Sequence, residues 1–532
     1  MARTPLLHAF QRLAREHCAA EALGIPVDEL PGYSRREFLK RAGVTGAAVA
    51  VAGPAALATR ANAATAPRIA IVGGGIAGLT AALTLADKGY ASTVYEASTR
   101  VGGRMHSDRS GYWANGQVSE FCGELIDTGH LTIRHLAQRF GLSTVDLLGA
   151  EPNGTDDTYW FLDGYYPKAQ ADKDFQPVHK TLQGQVQATS YPTTYKVHTD
   201  AGVFFDQLSV YDWIESYVPG RHASRLGRLL DAAYNIEYGA ETKDQAALNL
   251  MYLLAYQASP GNFLIYGASD ERFHIEGGNE LLPEAIADAL GEESIQLGWA
   301  MQSIRQNADG VSMTFSTPGK PQVVTADHVI LTLPFAVLRT LDYSGAGFDP
   351  LKQTAITKLG AGRNTKLQLQ FTSRYWNAQG SNGNVYTDIG LQSGWDVTRG
   401  QSGAAGIFVD YAGGNIAGGF KPSTPYSNAE SNQQVATYAK SVLPILDTVF
   451  PGIAKRWNGK ASLSTPFLDP NLGLAYSYWR VGQYTAFSGY EGVAQRAIHF
   501  AGEHCSQDFQ GYMEGGAAEG ARAAGEILAL LK

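Results

Sequence analysis

The stretch RIAIVGGGIAGLTAALTLADKGYASTVYEA, Arg68 to Ala97, decides the fold. Ile69 to Val72 is a short apolar, β-branched run, and Leu79 to Lys88 is rich in helix formers. Between them Gly73, Gly75 and Gly78 stand at G-x-G-x-x-G spacing. The pattern predicts strand, tight turn and helix: Gly73 permits the turn, Gly75 lets backbone N–H groups approach a pyrophosphate, and Gly78 lets helix and strand pack closely. The phosphates then meet the positive end of the helix dipole. A second strand, Ser92 to Tyr95, delivers Glu96 about 20 residues further on, where a carboxylate accepts hydrogen bonds from ribose hydroxyls. Strand, helix, second strand and terminal acid in register imply a doubly wound α/β domain that holds a dinucleotide.

The rest of the chain fits an enzyme built around that unit. At 532 residues it is too long for one core, so two connected domains are expected. With 44% hydrophobic and 17% charged residues and a net charge of −8, the composition is that of an ordinary globular protein, and nothing in it suggests nucleic acid as a partner. The cysteines are Cys18, Cys122 and Cys505; their number and scatter exclude a disulfide framework, a zinc thiolate cluster and an iron–sulfur site. Cys122 and Cys505 either pair or stay as buried free thiols. There is no H-E-x-x-H, G-x-S-x-G or Walker A motif, so hydrolase and kinase readings lack their anchors and no metal is expected.

The N-terminal 1–63 reads as an address. SRREFLKRAG, Ser34 to Gly43, places Arg35 and Arg36 before Phe38 and Leu39, and a weakly hydrophobic run extends to Ala58. This is the shape of a twin-arginine export signal, with Ala61-Asn62-Ala63 as a small-residue cleavage site. The run is too short and too rich in Ala and Gly for stable membrane insertion. A long amphipathic segment, LLHAFQRLAREH, precedes the arginines and has the character of a docking helix.

Directly after Glu96 comes ASTRVGGRMHS, Ala97 to Ser107. An acid followed by R-x-G-G-R resembles the flavin amine oxidase family, which includes monoamine, polyamine and L-amino-acid oxidases. The resemblance implies FAD rather than NAD, with Arg104 on the pyrophosphate and Gly102 and Gly103 allowing close approach. It returns in IHFAGEHCSQDFQGYMEGGAAEGARAAGEILALL, Ile498 to Leu531, where it implies that Glu503 bonds the ribityl or ribose region and that the backbone around Met513 faces the flavin at a helix N-terminus. FHIEGGNELLPEAIADAL, Phe273 to Leu290, and DHVILTLPFAVL, Asp327 to Leu338, match further pieces, and Met301 is expected to lend its backbone to adenine. The order implies an interleaved architecture, with 67–125, 272–340 and 456–532 forming the FAD domain and 126–271 and 341–455 an α+β substrate domain.

The family likeness also implies a set of reacting residues. Lys366, in GRNTKLQLQF, falls where the family holds a water against flavin N5; the bare alternation of KLQLQF equally fits a lysine at the edge of a strand. Tyr484, in YWRVGQYTAF, and Tyr512, in FQGYMEGG, match the two aromatics that sandwich the amine, although each alone fits core packing. Gln483 takes the place of the cysteine that links FAD in some relatives, which implies non-covalent FAD. The implied chemistry is hydride transfer from Cα to flavin N5, with oxygen returning as hydrogen peroxide.

The substrate is an L-amino acid or a simple amine. A carboxylate calls for a bidentate arginine, and ANGQVSEFCGELIDTGH, after the Gly-Gly-Arg loop, has none. Arg480 is the candidate in its place, and Glu124 in CGELID is a candidate for a cationic group. The GGELID-like turn resembles exported bacterial members with L-amino-acid oxidase activity, the reading taken forward. Monoamine, polyamine or heterocyclic amine oxidation is the alternative, and a dehydrogenase serving a carrier protein or a non-catalytic flavoprotein is a remote third. A homo-oligomer is left open.

Overall fold

Ile69–Val72 is buried along its whole length and pairs in parallel on both sides, with Thr93–Glu96 and with His328–Leu331. Burial on both faces is what a continuous apolar run without alternation requires. Ile295–Leu297 and Ile498–Phe500 complete a five-stranded parallel sheet. These relations come from a computed structural model describing residues 66–189, 191–257 and 262–531. The twin-arginine segment, its extension and its cleavage site lie outside the described residues.

The glycine turn shows why each glycine is there. Gly73 sits at φ 110°, a left-handed backbone, and a Cβ on it would lie 2.3 Å from Thr332 Oγ1. The helix begins at Ile76, earlier than its apolar periodicity suggests, so Gly78 falls inside it. A Cβ on Gly78 would lie 2.0 Å from the Gly73 carbonyl oxygen, so only glycine lets helix and turn approach. The closing helix, Met513–Leu530, packs on this first helix in the same manner, since a Cβ on Gly520 would lie 2.1 Å from Ala77 O.

A second, seven-stranded sheet runs in the order Tyr426–Asn428, Trp457–Ser464, Asn364–Phe371, Gly406–Gly413, Ser393–Asp396, Ser381–Thr387, Asp156–Trp160. It is antiparallel except between the last two strands. Trp457–Ser464 therefore belongs to this sheet, through pairs such as Lys366 with Ser464. The expected boundary at 456 falls instead after Ser464, because that strand completes an antiparallel ladder and not the nucleotide sheet. Helices Lys168–Thr189, Arg225–Tyr238 and Ala247–Leu254 form much of the remaining substrate half. Ser224 caps Arg225–Tyr238 by accepting from Gly227 N, and Gly239, at φ 61°, ends it.

If close helix contact through Gly520 is the constraint, Gly520→Val costs about 3 kcal/mol or more, because backbone must move. Gly525, in the same helix with nothing within 4 Å of an added Cβ, tolerates alanine and gains up to about 1 kcal/mol. Thermal unfolding of the two variants checks the contrast.

Candidate active site

One deep cleft joins the end of the parallel sheet to the seven-stranded sheet, and at its sheet end lie Gly73, Gly75, Glu96, Gly102, Gly103 and Arg104. Gly75 is the N-cap of the first helix and offers no side-chain cap, so the helix's first amides keep no side-chain partner. A Cβ built on Gly75 would meet only the Gly102 carbonyl oxygen, at 3.9 Å, and would otherwise fill the cradle. The second loop is stitched to the first by Gly102 N donating to Gly74 O at 2.8 Å. Glu96 accepts from Gly74 N at 2.6 Å and Ser98 N at 2.8 Å, which fixes its carboxylate at the rim of the cleft. An uncapped helix N-terminus beside a fixed carboxylate suits a diphosphate and ribose, so the residues fit a dinucleotide.

Arg104 donates through Nη1 to Ala475 O and to Glu503 Oε1, both at 2.9 Å, and its other N–H groups make no hydrogen bond to described residues. Glu503 lines the cleft, yet its oxygens also accept from Ser477 N, Ser477 Oγ and Gly511 N. Burial pushes this carboxyl up, but Arg104, His504 and these donors outweigh it and hold it below the usual range. Its visible work is to tie Arg104 to the chain around 477 and 511. Met513 lines the cleft at the start of the closing helix, which likewise lacks a side-chain cap. Met301, whose backbone was expected to meet adenine, pairs with Phe315 in its own sheet with its side chain buried, and it is not among the residues that line the cleft.

At the other end Lys366 ion-pairs with Glu124, Nζ to Oε2 at 2.6 Å, with side chains 7% and 6% exposed. Nζ also donates to Cys122 O at 2.7 Å, and Trp395 Nε1 donates to the other Glu124 oxygen at 2.9 Å. Glu124 therefore meets a cation of the protein itself. Lys366 is not at a solvent edge, since Asn364–Phe371 is buried throughout. Cys122 and Cys505 are free thiols.

Two expected residues lie elsewhere. Tyr484 sits in the short helix Gln483–Phe487, buried against Trp479 with its hydroxyl on Asn249 Oδ1 at 2.9 Å, and does not line the cleft. Tyr476, eight residues earlier in a chain segment that continues into a strand, does line it. Its hydroxyl donates to Ile236 O at 2.6 Å and accepts from Tyr411 at 2.9 Å. Tyr512 lines the cleft and donates to Glu237 Oε1 at 3.1 Å. Gln483 is likewise outside, bonded to Lys358 O, and the residue before the cleft aromatic is Ala475. Arg480 is exposed, over the Tyr478 ring at 5.9 Å, and is also absent from the cleft. Besides Arg100 and Arg104, the arginine that lines the cleft is Arg399, held by Glu151 at 2.8 Å and by Asn384.

The chain matches the model of the flavin containing amine oxidoreductase family over residues 76–528 and belongs to that family. The family uses a flavin, FAD, and acts on amines with oxygen. Among relatives, an L-amino-acid oxidase of Naja atra is 24% identical, covering 86% of this chain and 87% of its own. One of Demansia vestigiata is 26% identical over 59% of this chain, and the match spans 60% of that protein. In fold the chain is similar to cyclohexylamine oxidase from Brevibacterium oxydans IH-35A, with TM-score 0.73, 21% identity and coverage of 87% and 99% of the two chains. Putrescine oxidase bound to putrescine gives TM-score 0.70 at 18% identity, with coverage of 87% and 99%.

Removing one partner of a buried ion pair leaves an uncompensated charge. Lys366→Met is expected to cost about 3–5 kcal/mol and to slow turnover strongly with flavin still bound, whereas Lys366→Met with Glu124→Gln recovers much of the stability but not the rate. Unfolding curves and flavin absorbance separate the two effects, and a double variant as unstable as the single would contradict the pairing.

Proposed function

We propose that this protein is an FAD-dependent L-amino-acid oxidase. The observation that carries amine oxidation is the buried Lys366–Glu124 pair, set with Tyr476 and Tyr512 in the same cleft as the dinucleotide cradle. Two things support the amino-acid level: relatives described as L-amino-acid oxidases that match 86% of the chain, and Arg399. Arg399 lines the cleft with its guanidinium largely buried, and a positive charge held on a cleft wall favours an anionic group such as a carboxylate.

A bound flavin supplies the two-electron acceptor, and oxygen takes both electrons from it as hydrogen peroxide. The substrate loses two electrons and two hydrogens across Cα–N to give an imino acid, and water then releases the 2-oxo acid and ammonia. The protein's part is orientation and exclusion of water. Tyr476 and Tyr512 wall the amine with ring faces, and the hydroxyl bonds to Ile236 and Glu237 fix those rings. Lys366 is held with its charge on Glu124, in position to orient a water or the amine at the reacting edge.

A second reading, oxidation of a non-carboxylated amine, draws on the fact that both Arg399 Nη groups are already engaged. Peroxide release from the purified protein with L-amino acids, their D-enantiomers and the matching decarboxylated amines decides between the readings. Turnover of L-amino acids without the others is expected, and Arg399→Met is expected to raise KM about 100-fold with less effect on kcat. Turnover of the amines alone would end the amino-acid reading.

We also propose non-covalent FAD, since Ala475 precedes the cleft aromatic and offers no thiol. Acid precipitation is expected to leave all the yellow colour in the supernatant; colour retained in the pellet would point to a covalent link, for which Cys122 on the cleft wall is the first residue to replace.

A further inference from the structure

Glu237 and Glu271 on the cleft wall have no ion-pair partner among the described residues, and neighbouring Asp270, also on the wall, is taken up by Thr128. Both glutamates are partly accessible from the cleft, and neither position favours fold stability. Glu237 stands in the last turn of Arg225–Tyr238, where the helix dipole disfavours negative charge and where no basic residue compensates it. Glu271 has φ 49°, a left-handed backbone that non-glycine residues rarely adopt. Burial, with Asp127 adding to it, raises Glu237 to about 8, and burial lifts Glu271 well above the usual carboxylate range, with Glu237 and Asp127 adding to it. The cation that reaches Glu271 is Arg399, already paired with Glu151.

An acidic wall alone does not define a ligand, but two further features of the cavity do. Arg399 lines the same cleft with its side chain 9% exposed; Glu151 and Asn384 hold its two Nη groups, its Nε is buried with no partner among the described residues, and its positive charge favours an anionic group on that wall. The rings of Tyr266 and Tyr386, 6.4 Å apart, also line it, and aromatic faces attract cations. A ligand that satisfies all of these carries one anionic group and more cationic than anionic charge.

We propose that Glu237 and Glu271 receive a second cationic group, an ammonium or guanidinium on the substrate's side chain, so that the preferred substrate is a basic L-amino acid. This rests on the amino-acid reading above, and the substrate is oxidised at its Cα–N bond as described there. The distal group is bound and not changed.

The test compares kcat/KM of the holoenzyme for L-lysine and L-arginine with L-norleucine, which lacks the distal charge, and for cadaverine with pentylamine, a pair lacking the carboxylate. L-lysine or L-arginine is expected to exceed L-norleucine by about 100-fold or more. In the Glu237→Gln, Glu271→Gln double variant that ratio is expected to fall below about 10-fold, mainly through KM. The wild-type comparison stands by itself if the double variant does not fold. Cadaverine far above pentylamine with inert amino acids would support the acid pair and overturn the amino-acid reading. L-norleucine equal to or better than L-lysine would overturn the acid pair and leave the amino-acid reading intact. Absence of any preference for the second charge in either series overturns the inference.

Discussion

The contact between Lys366 and Glu124 joins the loop after the dinucleotide cradle to the seven-stranded sheet, on the wall of the shared cleft. Glu124 follows the glycine-arginine loop of the nucleotide half, and Lys366 comes from the centre of the seven-stranded sheet, 242 residues later. Taking both charges out of water costs several kcal/mol per ion, which only good geometry offsets. That geometry is present, because Cys122 O and Trp395 Nε1 satisfy the outer sides of the pair. The same strand face continues the attachment: Gln368 donates to Glu120 O, and Gln370 to Ala114 O and Gln117 Oε1. Alternate residues of one strand thus hold residues 114–124 against the sheet, while Leu367, Leu369 and Phe371 on its other face enter a hydrophobic core.

How much of this was legible in the sequence depends on how local the constraint is. The glycine turn, Glu96 and the parallel sheet were legible because a tight turn, a close helix approach and a terminal acid lie within some thirty consecutive residues, and each demands a residue type. Lys366 was legible by family likeness, and its buried environment came only from the sheet order. Tyr484 and Tyr476 lie in one short run, AYSYWRVGQY, and spacing alone does not separate them. The difference is that Ser477–Tyr478 pairs with Gly360–Ala361, which carries Tyr476 to the cleft, while the following turn takes Tyr484 into the core. Arg480 fails for the same reason, lying past the strand on the solvent side.

Glu237, Glu271 and Arg399 had no sequence signal at all. They come from a helix end, a left-handed residue and a loop after a strand, separated by 34 and 128 positions. No spacing rule links such residues. What marks them is their unfavourable local setting, since real proteins break local rules mainly at functional sites. A carboxylate at a helix C-terminus and a non-glycine residue at positive φ are visible only once the backbone is known.

The charge arrangement separates the two ends of the cleft. At the dinucleotide end Arg104 and Glu503 neutralise each other, and Glu503 is ionised because its partner is built into the fold. On the opposite wall of the cleft Glu237 has no cationic partner among the described residues, and burial raises it to about 8. The sign of the linkage follows: the folded state binds this proton more tightly than the unfolded chain does, so stability falls as pH rises from the ordinary carboxylate value through about 8. If the proposed cationic group binds beside Glu237, it favours the ionised form, and a proton leaves as the ligand enters.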